Sequence, residues 1–282
     1  MEQLLPVNGV ELCVETFGAK TDPAILLIHG GSASMDFWET AFCEHLAAAG
    51  RFVIRYDHRD TGRSVSYEPG KPQYTSADLQ SDPIGILDAL GIDRAHLVGL
   101  SMGGGIAQTI TVDHPERVAS ATFISTSPIA TAEPIEYPPM AERLQEAFGT
   151  EQPPTDWSDP EAAVDAFIRD ERLYAGTFPY DEPARRELIA AMIARTTNVE
   201  SAMTNHWILE DGEEKDRSLA DIAVPVLVMH GSEDPMFHPA HGEALAREIP
   251  NARFVLLEGA GHELPHQTWD TAIPEIITIT TP

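Results

Sequence analysis

The chain has 282 residues, of which 43 % are hydrophobic and 22 % charged, a composition typical of a globular protein with a full apolar core. Its formal net charge of −27 argues against nucleic-acid binding, which requires clustered Lys and Arg, and disfavours binding to an anionic membrane. No apolar run is long enough for a membrane span and no secretory signal is evident, so we expect a cytoplasmic protein.

Short apolar strands alternate with helical stretches in the first half of the chain. A turn at Asn8-Gly9 precedes the first predicted strand, and Gly50 and Gly91 end two of the predicted helices. We predict strands at 11–17, 24–28, 51–56, 95–100 and 118–124, and helices at 37–49, 76–90 and 106–112. This alternation predicts a mostly parallel sheet with helices on both faces.

The alternation stops after residue 126. Residues 127–223 contain Pro-rich stretches and helical patterns, at 161–168 and 185–194, but no clear buried strand. Because this stretch is too long for a loop, we interpret it as a helical insertion. Strands resume at 224–229 and 253–257. We therefore expect a core domain formed by 1–126 and 224–282, interrupted by a helical cap at 127–223.

The segment Gly99-Leu100-Ser101-Met102-Gly103 fits the nucleophile-elbow pattern G-x-S-x-G. A strand runs directly into it and a glycine-rich helix start follows it. A serine on such a tight turn needs neighbours without side chains, and the positive end of the helix faces developing negative charge. The alternative is a helix start that binds phosphate, which the negative charge of the chain disfavours. We therefore predict that Ser101 is a nucleophile.

A serine hydroxyl needs a base, and that base needs an orienting carboxylate. His262 follows the strand at 253–257 and is the predicted base, with His266 as its rival. Asp234 follows the strand at 224–229 and is the predicted carboxylate, with Glu233 as its rival. The chain order Ser, Asp, His is the one that this kind of fold uses.

Acyl transfer also needs N–H donors for the oxyanion. The residue after the nucleophile, Met102, supplies one. We assign the second to Gly31, in the loop after the strand at 24–28, with its neighbour Ser32 as the alternative. We expect His29 to be a structural residue of this loop.

Together these motifs resemble the α/β-hydrolase superfamily. The resemblance rests on His29-Gly30-Gly31, the run Tyr56-Asp57-His58-Arg59-Asp60-Thr61-Gly62-Arg63-Ser64, the elbow, His114-Pro115-Glu116-Arg117-Val118, Gly231–Asp234 and Gly261-His262. The stretch 55–64 is most similar to the aclacinomycin methylesterase branch, which cleaves methyl esters of polyketide glycosides. The resemblance implies an α/β-hydrolase fold with an eight-stranded sheet and a helical cap between its sixth and seventh strands.

The sequence therefore predicts a cofactor-free, metal-free serine hydrolase (carboxylesterase type, EC 3.1.1) that acts on a small to medium, largely neutral ester. Lactone opening, carbon–carbon bond hydrolysis and perhydrolysis use the same triad and remain open, and a non-catalytic ligand-binding receptor is a more distant alternative. The candidate substrate contacts are Ser32, Trp38, Trp207 and Phe237. We also expect Cys13 and Cys43 to be buried thiols, Asp57 and Arg59 to form an ion pair, and His238 and His241 to begin a surface helix.

Overall fold

The computed structural model describes residues 2–150, 154–212 and 215–281. Its centre is an eight-stranded sheet in the order β1-β2-β4-β3-β5-β6-β7-β8. The strands are β1 (Glu2–Val7), β2 (Val10–Phe17), β3 (Ala24–Ile28), β4 (Phe52–Tyr56), β5 (Ala95–Leu100), β6 (Val118–Ile124), β7 (Val226–Gly231) and β8 (Ala252–Leu257). Strands β3 to β8 pair in parallel, whereas β2 is antiparallel to β1 and β4. The predicted mostly parallel sheet is confirmed.

The sequence pattern does not predict β1, which forms a hairpin with β2 across the turn at Asn8-Gly9. Both turn residues have positive φ, 49° and 82°, as a two-residue hairpin turn of this kind requires. The strand contains Pro6, a residue that strands tolerate at a sheet edge, and β1 is the edge strand.

The helices are α1 (Thr40–Ala48), α2 (Ser76–Leu90), α3 (Met102–Asp113), α4 (Glu142–Gly149), α5 (Pro160–Tyr174), α6 (Glu182–Arg195), α7 (Val199–Thr204), α8 (Ala240–Glu248) and α9 (Trp269–Ile279). Short 3-10 helices lie at Met35–Phe37, Pro115–Arg117, Asn205–Trp207, Leu219–Asp221 and His266–Thr268. No helix of the described residues is long and apolar enough to cross a bilayer. The bounds of β3, β5, β6 and α2 coincide with the predicted ones, whereas α5 and α6 are longer than predicted.

Helices cover both faces of the sheet because successive residues of a strand point to opposite sides. In β3, Leu26 and Ile28 pack with α2 and α3, whereas Ile25 and Leu27 pack with α1 and α9. The thiol of Cys43 lies buried in the second of these layers, and Cys13 is also buried and free, as predicted. Because β3, β5, β7 and β8 run in the same direction, their carboxyl ends lie at one edge of the sheet, where the candidate site lies.

Between β6 and β7 the described residues form helices α4 to α7 and no strand. We call residues 127–223 the cap segment. Its helices α5 and α6 share an apolar cluster in which Val164 and Phe167 pack against Ile189 and Met192. Phe37, next to the candidate site, packs on this cluster. Helices α5 and α6 therefore form a packed layer that contacts the candidate site through Phe37.

A buried ion pair joins this layer to the core. Arg195, the last residue of α6, donates to both carboxylate oxygens of Asp57, at 2.7 and 3.1 Å, and to Asp36 at 2.8 Å. Burial opposes the charge of Arg195, but Asp57 and Asp36 outweigh it and raise the pKa of Arg195 above its ordinary value. The predicted pair of Asp57 with Arg59 is therefore wrong.

Arg59 instead forms a two-bond pair with Asp82 of α2, at 2.8 and 2.9 Å. Asp57 and Arg59 lie two residues apart after β4, and their side chains reach partners far away in the chain. No local pattern could have revealed either partner.

Candidate active site

Ser101 lies at the turn between β5 and α3, with φ 55° and ψ −120°. This conformation is rare for a residue with a side chain, and such strain is common at functional sites. The two glycines of the elbow permit it. A Cβ on Gly99 would lie 2.2 Å from the carbonyl oxygen of Gly103, and a Cβ on Gly103 would lie 2.1 Å from that of Ile28.

Residues from three loops meet above this turn. The Nε2 atom of His262 lies 2.9 Å from the Ser101 hydroxyl oxygen, and its Nδ1 atom lies 2.8 Å from Oδ2 of Asp234. Because the carboxylate can only accept, Nδ1 carries the proton and Nε2 is free to accept from the hydroxyl. The arrangement can therefore move a proton from the serine to the imidazole.

Asp234 is fully buried but well supplied with donors. Its Oδ1 atom accepts from the N–H groups of Met236 and Phe237, both at 2.9 Å, and His230 Nε2 lies 3.4 Å from Oδ2. Burial raises the pKa of Asp234, but the hydrogen bonds from His230 and His262 outweigh it, so the pKa lies below its ordinary value. The carboxylate stays ionised and holds the His262 tautomer.

The two rivals make other contacts, although His266 lines the same cavity as Ser101. Glu233 contacts the hydroxyl of Ser232 at 3.4 Å. His266 lies in a 3-10 helix and contacts Glu39 at 2.8 Å.

In the loop after β3, the amides on either side of Gly31 have acceptors. The N–H of Gly30 donates to His29 Nδ1 at 2.7 Å, and the N–H of Ser32 donates to His206 Nδ1 at 2.9 Å. The N–H of Gly31, between them, has no acceptor among the described residues. Met102 is the first residue of α3, so its N–H has no acceptor within the helix. The amide of Ser32 is therefore occupied, whereas those of Gly31 and Met102 remain available.

A cavity of about 590 Å³ lies beside these groups, and Ser101, His262 and Gly31 are part of its wall. Ten aromatic side chains of the described residues line it: Phe37, Trp38, Phe42, Phe148, Phe167, Tyr174, Phe178, Tyr180, Trp207 and Trp269. Five acidic side chains also line it, Glu39, Asp170, Glu171, Asp181 and Glu263, against the guanidinium of Arg185. The cavity is thus large, mostly apolar and negatively charged.

The predicted substrate contacts divide into two groups. Ser32, Trp38 and Trp207 line the cavity, although Trp38 is only 2 % exposed. Phe237 is not among the described residues of the cavity wall. Its ring packs against His262 at 5.5 Å, and its backbone donates to Asp234 and accepts from His230 at 2.7 Å.

Comparison with known proteins places this arrangement in a family. Residues 23–267 match the family model of the alpha/beta hydrolase fold. The chain belongs to the alpha/beta hydrolase family. It is 34 % identical to the Rhodomycin D methylesterase DauP of Streptomyces sp. (strain C5) and to DnrP of Streptomyces peucetius, in each case over 93 % of this chain and 92 % of the relative.

Among solved structures, the enol-lactonase from Burkholderia xenovorans LB400 superimposes with a TM-score of 0.70 at 26 % identity. The match covers 99 % of this chain and 100 % of that one. The fold and the resemblance to a methylesterase branch, both predicted from the sequence, are confirmed.

In this alpha/beta hydrolase the cap segment contacts the loop that carries His262. The N–H of His262 donates to the carbonyl of Tyr174, and the N–H of Thr177 donates to that of Gly259, both at 2.9 Å. The carboxylate of Glu263 accepts from Gly176 N–H at 3.1 Å. A Cβ on Gly176 would lie 2.1 Å from the Gly259 carbonyl oxygen, so only glycine permits this approach. We call residues 174–177 the histidine clamp.

Sequence reasoning missed the clamp and also His206, which contacts the loop after β3. Neither belongs to a motif, and the cap segment contains no pattern that marks them. His238 and His241, which the sequence places at the start of a helix, do not belong to a described cluster of metal-ligating side chains. His241 bonds to Ser127 at 2.9 Å and stacks on Tyr137, and no described group of three metal-ligating side chains is found.

Proposed function

We propose that this alpha/beta hydrolase cleaves carboxylic methyl esters of bulky, largely apolar molecules. The observation that carries the proposal is the unbroken contact from Ser101 through His262 to Asp234, at 2.9 and 2.8 Å, at the wall of a large cavity. The two methylesterase relatives support a methyl ester as the group that is cleaved.

In the proposed reaction His262 takes the proton of Ser101 while the serine oxygen attacks the ester carbonyl. The negative oxygen that develops is stabilised by the N–H groups of Gly31 and Met102. The imidazolium then gives its proton to the departing methanol, which leaves an acyl-enzyme. His262 next activates a water molecule, whose attack on the acyl group releases the acid and restores Ser101.

The negative charge of the cavity favours binding of a neutral substrate and release of an anionic product. An ester carries no charge at the reacting group, so the five carboxylates of the wall do not oppose its entry. The product is a carboxylate, which the same five groups repel, with Arg185 already paired to Glu171 and Glu39. A free acid should accordingly be a weak inhibitor.

The test is methanol release from a panel of methyl esters of polycyclic aromatic acids by the purified protein. Ser101→Ala should lower kcat by roughly a millionfold, as deletion of a triad serine does, while Ser158→Ala on the cap surface should leave it unchanged. A fluorophosphonate probe should label Ser101. Methanol release by Ser101→Ala at the wild-type rate would refute the proposal, and an unlabelled serine would favour a binding protein.

A second candidate is lactone opening, supported by the enol-lactonase that superimposes over the whole chain. A lactone is an internal ester, so the same steps apply, but the leaving alcohol stays attached to the acyl group. A matched pair of an aryl lactone and its open methyl ester separates the two, because the preferred substrate shows the higher kcat/KM.

A further inference from the structure

We propose that His206 is a positioning residue that orients the Gly31 N–H for the oxyanion. The proposal rests on the proposed function, because it assigns a supporting role in the same reaction. His206 lies in the cap segment, in the 3-10 helix Asn205–Trp207, and it contacts the loop after β3 through the Ser32 N–H.

The hydrogen bonds of His206 determine its tautomer. Its Nε2 atom lies 2.8 Å from the carbonyl oxygen of Arg59, which can only accept, so Nε2 carries the proton. Its Nδ1 atom is then an acceptor, and it receives the N–H of Ser32 at 2.9 Å. Burial lowers the pKa of His206, which favours this neutral form.

The loop needs such a contact because of its backbone. Ser32 has φ 60°, a conformation that residues with a side chain rarely adopt and that persists only where the surroundings stabilise it. Two contacts from the cap segment do so: the bond of His206 to the Ser32 N–H, and a 2.9 Å bond from Trp207 Nε1 to the Ser32 hydroxyl.

The peptide plane between Gly31 and Ser32 is rigid and ends at the Gly31 Cα, so the bond from the Ser32 N–H to His206 fixes the position of that atom. The Gly31 N–H belongs to the preceding peptide plane, which ends at the same Cα. This N–H has no acceptor among the described residues, and Gly31 lines the same cavity as Ser101. Without His206 the Ser32 N–H would lose its acceptor, and the backbone of Gly31 could rotate so that its N–H points elsewhere.

His206 is itself fixed by the core. Its acceptor, the Arg59 carbonyl, belongs to a residue whose side chain pairs with buried Asp82 of α2. The neighbouring Asn205 donates to Asp60 at 2.8 Å, and Tyr74 donates to the same carboxylate oxygen. The imidazole is thus a rigid link between α2 and the oxyanion loop.

The test compares three substitutions in the full chain with wild type. His206→Phe keeps the ring volume but loses both hydrogen bonds. His206→Asn keeps an acceptor near the Nδ1 position, and His206→Gln keeps a donor near Nε2. His114→Asn, on the exposed end of α3, is the control and should match wild type.

The readouts are kcat and KM on a methyl ester and the inhibition constant of a trifluoromethyl ketone, whose adduct places an oxyanion in the site. His206→Phe should lower kcat about 10- to 100-fold, less than the roughly 100- to 1,000-fold cost of deleting a donor. KM should stay within about twofold, and the inhibition constant should rise in parallel with the loss of kcat. His206→Asn should recover most of kcat.

An unchanged kcat in His206→Phe, a loss confined to KM, or an Asn variant no better than Phe would overturn the proposal. If His206→Phe does not fold, the Asn variant should still exceed the Gln variant about tenfold in kcat, and equality of the two would overturn it. Failure of the proposed function is distinguishable, because the wild-type chain itself would then release no methanol.

Discussion

The sheet and the cap segment contribute to the site in different ways. Loops that follow sheet strands carry the three residues of the proposed triad: Ser101 after β5, Asp234 after β7 and His262 after β8. The cap segment supplies none of these, yet its histidine clamp contacts the His262 loop and its His206 contacts the oxyanion loop. The elbow, by contrast, is fixed by core residues, since the Ser101 N–H donates to Ile124 of β6 at 2.9 Å.

The difference teaches that the core supplies the proposed reacting atoms and the geometry of the elbow, whereas the cap segment adds contacts that position two of the loops. Substitution of the proposed triad residues should abolish most of kcat, whereas substitution of cap residues should lower kcat moderately or lower the free energy of unfolding. Four predictions test this division.

Of the four, the largest effect is expected for Asp234→Asn. An amide at this position can donate to His262 Nδ1 and so favours the tautomer with the proton on Nε2, which cannot accept from Ser101. We expect kcat to fall about ten-thousandfold with the fold intact. The control is Glu233→Gln, the adjacent acid, whose activity should stay near wild type. A similar loss of kcat in both variants would contradict the choice of Asp234 as the orienting carboxylate.

The next effect concerns the ion pair between the two regions. Arg195→Met leaves Asp57 fully buried without its cation, which should lower the free energy of unfolding by about 3 kcal/mol in urea titrations. Arg186→Met is the matched control on the same helix, because Arg186 is at the surface with Asp165 and Glu182. It should leave the urea midpoint almost unchanged. Equal midpoints of the two variants would contradict a role for Arg195 in joining the cap segment to the core.

A smaller effect is expected at the histidine clamp. In Gly176→Ala the new methyl group would collide with the Gly259 carbonyl oxygen, so residues 174–177 must move away from the His262 loop. We expect kcat to fall about tenfold, on the order of 1.4 kcal/mol in the barrier, because His262 loses its alignment. Gly149→Ala, where a Cβ meets open space, is the control. Wild-type kcat in the Gly176 variant would show that the clamp does not position the histidine.

The last prediction concerns the pH dependence of the unfolding free energy, through a histidine that lies where the sheet meets the cap segment. Burial lowers the pKa of His58 to about 3, and its ring lies 5.9 Å from that of His206. The unfolded chain, with a pKa of about 6.5, binds more protons than the folded one between these values, so stability falls as pH drops below 6.5.

From pH 7.5 to 5.5 His58 should account for about 1.4 kcal/mol of the loss in unfolding free energy. Over the same pH range, the loss of unfolding free energy in His58→Gln should be smaller than in wild type by this amount. The loss in the exposed control His114→Gln should equal that of wild type. Equal losses in wild type and His58→Gln would show that His58 is not buried as a neutral ring.

Local patterns in the sequence determined the alternation of strands and helices, and the loops in which the candidate residues lie. Continuous apolar runs gave the bounds of β3, β5 and β6, because a parallel strand is buried on both faces. The elbow was readable because its pattern spans only five residues, although Gly103 is also required by the carbonyl of Ile28 in β3. The edge strand β1 was missed, since it is half exposed and contains Pro6.

Only the tertiary structure decided which distant side chains meet. It paired Asp57 with Arg195 rather than Arg59, bonded the Phe237 N–H to Asp234, and joined His206 to Ser32. The partners in the first and third of these contacts lie more than 130 residues apart. Periodicity and spacing describe only what a residue does within its own turn or strand, whereas such partners are selected by the packing of the whole chain.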